Sequence, residues 1–303
     1  MSQILVVGSV AYDTISTPEG RVDKTLGGSA NYFSVAASLY SKINVIGVVG
    51  DDYADADFEL LRSRKVDITG LQQVPGKTFH WEGKYENDMN EAITLNTELN
   101  VFESFDPTLP EAYKDSEYVF LANIHPVLQA KVLDQINKPK LVGIDTMNLW
   151  INNTLDDLKK VLARADVILM NEGEARQLTG HYNGVRAAQE LLKMGPKAVV
   201  IKRGEYGFML YSNEGYFILP AFPIDHVVDP TGAGDTFAAG FFGYLARLDQ
   251  DFSIEAVKQA CVHGCLLASF TVQGFGLDAL RKLDWSALEA RHAEYRNVIA
   301  LQS

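Results

Sequence analysis

Residues 167–178 read VILMNEGEARQL. Four apolar residues in a row with no polar alternation mark a short strand buried on both faces. The stretch after them carries Ala175 and Leu178 at helical spacing. A buried strand feeding a helix is the building unit of a parallel sheet, because parallel neighbours need a long crossover between them.

The same unit recurs on both sides. Apolar runs at 3–8 (QILVVG), 43–50 (INVIGVVG), 118–121, 141–145 and 199–202 predict further buried strands. Helical patterns at 31–40, 55–64, 127–136, 155–163 and 185–194 fall between most of them. The alternation predicts an α/β chain with a doubly wound, mostly parallel sheet between helices. Residues 208–219, with Asn213-Glu214-Gly215 inside, predict a hairpin. Residues 234–246, 254–270 and 285–297 predict closing helices.

Residues 13–25 and 78–101 break the alternation. They are polar, with Thr, Trp and Tyr interleaved, and lack a helical face. They predict a small β-sheet inserted into one domain of 303 residues, serving as a lid, a dimer surface or both. Open strand edges on such a lid would suit a homodimer.

Composition narrows the partners. Lys+Arg number 27 against 39 Asp+Glu, a net charge of −12. An acidic surface repels phosphate backbones and anionic membranes, so neither nucleic acid nor a membrane is an expected partner. No apolar run approaches the ~20 residues that span a bilayer, and the first ten residues show no basic leader. Cys261 and Cys265 sit four apart on a predicted helix, which suits neither a disulfide nor a metal pair. These features lead us to expect a cytoplasmic protein.

Four segments could carry chemistry. Residues 227–237 read VVDPTGAGDTF: a strand end, a turn of small residues, then Asp235 opening a helix. Gly232, Ala233 and Gly234 would let backbone N–H groups converge, and the helix dipole adds positive potential. The result suits an anion, or charge developing on a transferring phosphoryl group, and a carboxylate beside it can take a proton from an attacking hydroxyl. The plainer alternative is a tight turn with Asp235 merely complementing the helix terminus. The segment is neither a Walker A loop nor a dinucleotide fingerprint.

Asn171 and Glu174 could hold a water shell around Mg²⁺, or could simply form a capping box. Asp13, just past the first strand, and Gly27-Gly28-Ser29-Ala30-Asn31, before a helix, could bind vicinal hydroxyls by accepting and donating hydrogen bonds. A turn and a cap would explain them equally. In Lys202-Arg203-Gly204-Glu205-Tyr206-Gly207 the glycines would let a nucleotide lie across the loop with Lys202 near its phosphates; an ordinary turn is the alternative. The six histidines show no metal spacing.

Taken in order, strand-Asp, GGSAN, GVVGDD, N-x-x-E, a glycine turn and DPTGAGD, the chain resembles the PfkB family of carbohydrate kinases, with the ribokinase-like fold. The resemblance implies an α/β sandwich with a β lid that transfers the γ-phosphoryl of ATP to a hydroxymethyl group. It implies Asp235 as general base, the backbone of Gly232, Ala233 and Gly234 as anion hole, and Asn171 and Glu174 organising Mg²⁺. It further implies Asp13, Gly27, Gly28 and Asn31 at the acceptor, and a monovalent cation such as K⁺ at Asp229 and Thr231. Lys202, Gly204, Gly207, His263 and Gly264 would flank ATP, with adenine between the glycine turn and the helix carrying His263.

Pro230 and Lys202 each stand where the family often has Thr, and GGSAN is one residue shorter than the ribokinase form. DPTG and the pair Gly264 and Gly274 are similar to bacterial adenosine kinases. The expected acceptor is therefore a small sugar, with a nucleoside as the alternative, and a non-catalytic sugar or nucleotide sensor is the third possibility. His80, Trp81, Tyr85 and Met89 in the lid could stack on a base or on a sugar face.

Overall fold

The computed structural model describes residues 2–249 and 252–300. Its strands, in chain order, are β1 (Gln3–Val7), β2 (Ala11–Thr17), β3 (Gly20–Gly27), β4 (Lys42–Val49), β5 (Val66–Gln73), β6 (Phe79–Tyr85), β7 (Ala92–Glu98), β8 (Tyr118–Leu121), β9 (Leu141–Ile144), β10 (Val167–Asn171), β11 (Ala198–Lys202), β12 (Phe208–Ser212) and β13 (Gly215–Leu219).

Nine of them form one sheet in the order β13-β12-β11-β10-β9-β8-β1-β4-β5. Pairing is parallel from β5 through to β11 and antiparallel in the β11-β12-β13 meander. Each central strand feeds two cores. In β1, Ile4 and Val6 join one apolar cluster while Leu5 and Val7 join the other, all without solvent exposure. That two-sided burial is why these strands read as unbroken apolar runs.

The remaining strands make a separate sheet ordered β3-β2-β6-β7. It is assembled from both stretches that broke the alternation, paired by the parallel β2-β6 contact. It overhangs the main sheet as a lid.

Three local details refine the sequence reading. Asp13 lies inside β2, paired with Thr25 and Trp81, within the sheet that residues 13–25 and 78–101 were expected to form. The helix expected after GGSAN is Ser29–Ala37, so Asn31 sits in its first turn. Strand β5 had no apolar signature: VDITGLQQ lies at the sheet edge and is only partly buried.

Parallel strands β1, β4, β8, β9, β10 and β11 all end at one edge of the sheet, where an open α/β sheet binds its ligands. The lid and the N-terminus of helix Ala233–Leu248 meet there.

Candidate active site

On the lid side, Asp13 is buried at the base of β2. Burial pushes its carboxyl up to about 7, the Gly28 amide opposes this, and the charges of Asp229 and Asp235 add to it. A β-carbon on Gly27 would overlap the Asp13 carboxylate, so only glycine leaves room for that side chain. Asn31 is fully buried and donates its Nδ2 to the Gly27 carbonyl at 2.7 Å. Its Oδ1 has no partner among the described residues. Asn31 therefore keeps its Oδ1 acceptor and the second hydrogen of its Nδ2 beyond the bond to Gly27.

On the opposite side, Gly232 takes φ +76° as N-cap of helix Ala233–Leu248, and a side chain there would overlap the Tyr32 ring. The turn aims the helix terminus at the cleft, with Asp235 in the first helical turn. Burial raises the Asp235 carboxyl to about 7; Asp145 pushes it further up and Lys202 pulls it back.

Lys202, at the end of β11, places Nζ 3.1 Å from Oδ2 of Asp145 and 2.9 Å from where a β-carbon on Gly234 would lie. Burial works against its charge, but Asp145, Glu174 and Asp235 together outweigh burial and keep it an ammonium. Asn171 and Glu174 form the full capping box: Asn171 Oδ1 accepts from the Glu174 amide at 2.8 Å, and Glu174 Oε2 accepts from the Asn171 amide at 2.9 Å. The cap does not neutralise Glu174. Burial and then Asp145 raise its carboxyl, against Lys202. The capping reading and the charged-site reading therefore describe the same two side chains.

Asp229 is fully buried, and each of its carboxylate oxygens accepts a backbone amide, from Thr231 and from Gly276, both at 2.9 Å. Thr231 donates its hydroxyl to the Tyr85 oxygen at 3.2 Å, tying the end of β6 to the glycine turn. The tip of the β6–β7 hairpin reaches further. Asn90 Oδ1 would collide with any β-carbon on Gly204, and Glu91 Oε1 lies 3.8 Å from the corresponding point on Gly173. Gly204 thus faces the lid tip, whereas Gly207 packs against the Leu219 carbonyl at the end of β13.

Asp13, Asn171, Glu174, Lys202, Thr231, Gly232, Ala233, Gly234 and Asp235 thus cluster at the same end of the sheet, with Asp229 bracing the glycine turn. His263 and Gly264 do not join the cluster. The His263 Nδ1 is bonded to the Tyr40 hydroxyl at 2.9 Å, and its ring packs on Tyr244 and His292. Burial, then His292 and Arg247, lower it to about 4. Gly264 sits against the Phe237 carbonyl and ring. Both residues lie where helix Ile254–Thr271 packs on helix Ala233–Leu248.

Two participants were missed. Asp145 holds Lys202, and its only sequence signal was a carboxylate closing the apolar run 141–145. Gln129 is fully buried and spreads Nε2 over the carbonyls of Leu121, Ala122 and Asp145 at 3.0–3.3 Å, fixing the strand ends beneath the site. Nothing in its sequence context announced that.

Asp145, Glu174 and Asp235 face a single ammonium, an excess of hard oxygen donors that fits Mg²⁺ better than a softer metal. Among the described residues no three His, Cys, Asp or Glu side chains are close enough to form a metal cage. The two cysteines are free and buried. No helix of the described residues is long and apolar enough to cross a membrane.

A helix terminus opened by a glycine turn, a carboxylate raised towards neutrality and a largely buried lysine are features suited to phosphoryl transfer. The pfkB family carbohydrate kinase profile matches residues 1–282, and the chain belongs to that family. It is 33% identical over 254 residues to the cytidine kinase of Thermococcus kodakarensis, covering 82% of this chain and 90% of that one. It is 29% identical over 259 residues to the deoxyribokinase of Salmonella typhimurium, covering 82% of each. The nucleoside kinase of Methanocaldococcus jannaschii has the same fold, with a TM-score of 0.78 at 20% identity over 97% of this chain and 99% of that one. The chain is a sugar or nucleoside kinase that phosphorylates an alcohol group.

Proposed function

We propose that the protein transfers the γ-phosphoryl group of ATP to the primary hydroxyl of a pentose-containing acceptor, a free sugar or the sugar of a nucleoside. The observation that carries this reading is Asp235: a carboxyl raised to about 7 in the first turn of the helix that Gly232 aims into the cleft, beside the Lys202 ammonium. The two relatives support the pentose: one is named for cytidine and the other for deoxyribose.

In this reading Asp13 and the free Oδ1 of Asn31 accept hydrogen bonds from acceptor hydroxyls. Asp235 takes the proton of the primary hydroxyl as its oxygen attacks the γ-phosphorus and the bond to the β-phosphate oxygen breaks, releasing ADP. Amides of Gly232, Ala233 and Gly234 and the Lys202 ammonium face the charge that builds on the equatorial oxygens. Glu174 and Asp145, through water, are the residues suited to hold Mg²⁺, which when bound neutralises phosphate charge. The Gly204–Tyr206 turn borders the nucleotide. Asp229 braces the glycine turn with both oxygens, and the reading needs no monovalent cation there. The lid closes over both substrates and keeps water from the γ-phosphate. Strand β7 is an open, exposed edge of the lid sheet, which supports pairing of two copies through the lid; sedimentation would test it.

The test is ADP release with MgATP and a panel of free pentoses, hexoses and nucleosides, with Asp235→Asn as blank. One acceptor well above the rest, silent in the blank, supports the reading. ATP binding with no turnover on any acceptor would favour a sensor on the same fold.

A further inference from the structure

Side chains alternate along β6, so Trp81, Gly83 and Tyr85 share one face and His80, Glu82 and Lys84 the other. Register says which face meets the cleft. Asp13 of β2 pairs beside Trp81, and Tyr85 touches Thr231 of the glycine turn. Across β7, Thr97 and Thr94 pair with Trp81 and Gly83, with a register shift between them. Asp13, Trp81 and Thr97 therefore form one row on the cleft face, and Ile15, Gly83 and Thr94 the next.

The Trp81 indole fills the gap that Gly83 leaves. Its Cη2 and Cζ2 occupy the space a β-carbon on Gly83 would need, and its Nε1 donates to Thr94 Oγ1 at 3.2 Å. The ring is thus laid across the sheet and held from both ends. Two other lid aromatics already have ring partners, Phe79 stacked on Phe102 and Tyr12 against Tyr53, and Tyr85 is tied to the glycine turn through Thr231. Among the described residues no ring and no cation packs on Trp81. Neighbouring strands lie ~4.8 Å apart, so a pentose held at Asp13 brings its substituents within reach of this indole.

We propose that Trp81 is a specificity-determining residue that stacks on a planar heteroaromatic ring carried by the acceptor, making a nucleoside the preferred acceptor over a free pentose. The inference rests on the kinase reading and on Asp13 as the acceptor end of the cleft. A free pentose has no π-face to stack. A nucleobase on an aromatic side chain gains about 5- to 150-fold in affinity, the equivalent of ~1–3 kcal/mol.

The experiment compares the full-length protein with Trp81→Leu and Trp81→Phe, using cytidine, adenosine, ribose and deoxyribose as acceptors with MgATP. Expected for Trp81→Leu is a rise of about 5- to 150-fold in nucleoside KM. Its kcat stays within about threefold, its pentose KM changes less than threefold, and Trp81→Phe stays near the parent protein. Nucleoside titration in the presence of a non-hydrolysable ATP analogue should quench indole fluorescence. The quench should vanish in Trp81→Phe, which retains Trp150 and Trp285. An equal KM change for pentoses and nucleosides, an unchanged nucleoside KM, or a quench that survives Trp81→Phe overturns the proposal. So does phosphorylation of pentoses with no nucleoside turnover. Each of those leaves the kinase reading standing; that reading falls separately if Asp235→Asn turns over normally.

Discussion

Lys202 and Asp145 meet at 3.1 Å across the C-terminal ends of the sheet, from strands β11 and β9 that flank β10, with side-chain exposures of only 16% and 9%. The pair puts a positive charge beside the glycine turn in an otherwise acidic cleft. Taking away one member of a buried pair strands the other and costs about 3–5 kcal/mol. Lys202→Met should lose roughly that much stability in urea denaturation. Asp145→Asn added to it should recover part of the loss, because the stranded carboxylate is gone. The single Lys202→Met variant should also raise the KM for ATP more than that for the acceptor. A neutral urea midpoint would show that the pair is screened by water.

Asp235 has a second dependence on the same pair. Its carboxyl, raised to about 7 first by burial and then by Asp145, is protonated in part at neutral pH. A general base works only when deprotonated, so kcat/KM should rise with pH through about 7 and level off above it. Asp145→Asn removes a repelling charge and should move that acid limb to lower pH. Asp235→Asn should keep the fold and ATP binding while kcat drops on the order of 10²–10⁴-fold. A pH profile for Asp145→Asn superimposable on the parent would separate the two carboxylates.

The central strands were legible because burial on both faces leaves unbroken apolar runs, as in QILVV and VILM. The glycine turn was legible because its chemistry is local. Strand β5 was hidden because an edge strand keeps polar residues, and the pairing of Asp13 with Trp81 could not be read because the lid sheet is built from segments far apart in sequence. Asp145 could not be paired with Lys202 from sequence, since 57 residues separate them and only the parallel crossover brings them together. The orientation of His263 was not legible either. Its helix does pack on the helix that carries Asp235, but a segment's position does not say which way a ring turns, and Tyr40 holds this one.

Asp13 links the site to stability. Its carboxyl is raised from 3.8 to about 7, first by burial. The folded chain therefore binds a proton more tightly there than the unfolded chain. The sign follows: this group costs nothing below about pH 4, and its cost to folding grows as pH rises from the unfolded value to about 7, then stays constant. Asp13→Asn cannot ionise, so it should raise Tm relative to the parent at pH 8 and show little difference at pH 4. The gain should be roughly 2–4 °C for each kcal/mol of charge burial relieved. The same variant should lose acceptor affinity, since a carboxylate acceptor becomes a weaker one. A Tm difference independent of pH would mean that Asp13 is neutral, or solvated, throughout.

Tyr85 and Thr231 close the lid on the turn that faces the phosphates. The Thr231 hydroxyl donates to the Tyr85 oxygen at 3.2 Å, and the lid tip beyond it rests at Gly204 and Gly173. A single neutral hydrogen bond contributes about 0.5–1.5 kcal/mol, a factor of roughly 2–10 in an equilibrium. Tyr85→Phe preserves the ring and its packing but deletes that acceptor, so the closed lid should be less populated by about this factor. Acceptor KM should rise correspondingly, thermal stability should hardly change, and ATP hydrolysis without acceptor should increase because water reaches the γ-phosphate more often. Thr231→Val should reproduce the effect, and the double variant should add little, since both changes break one bond. Independent, additive effects of the two substitutions would show that Tyr85 acts on the acceptor directly and not through the turn.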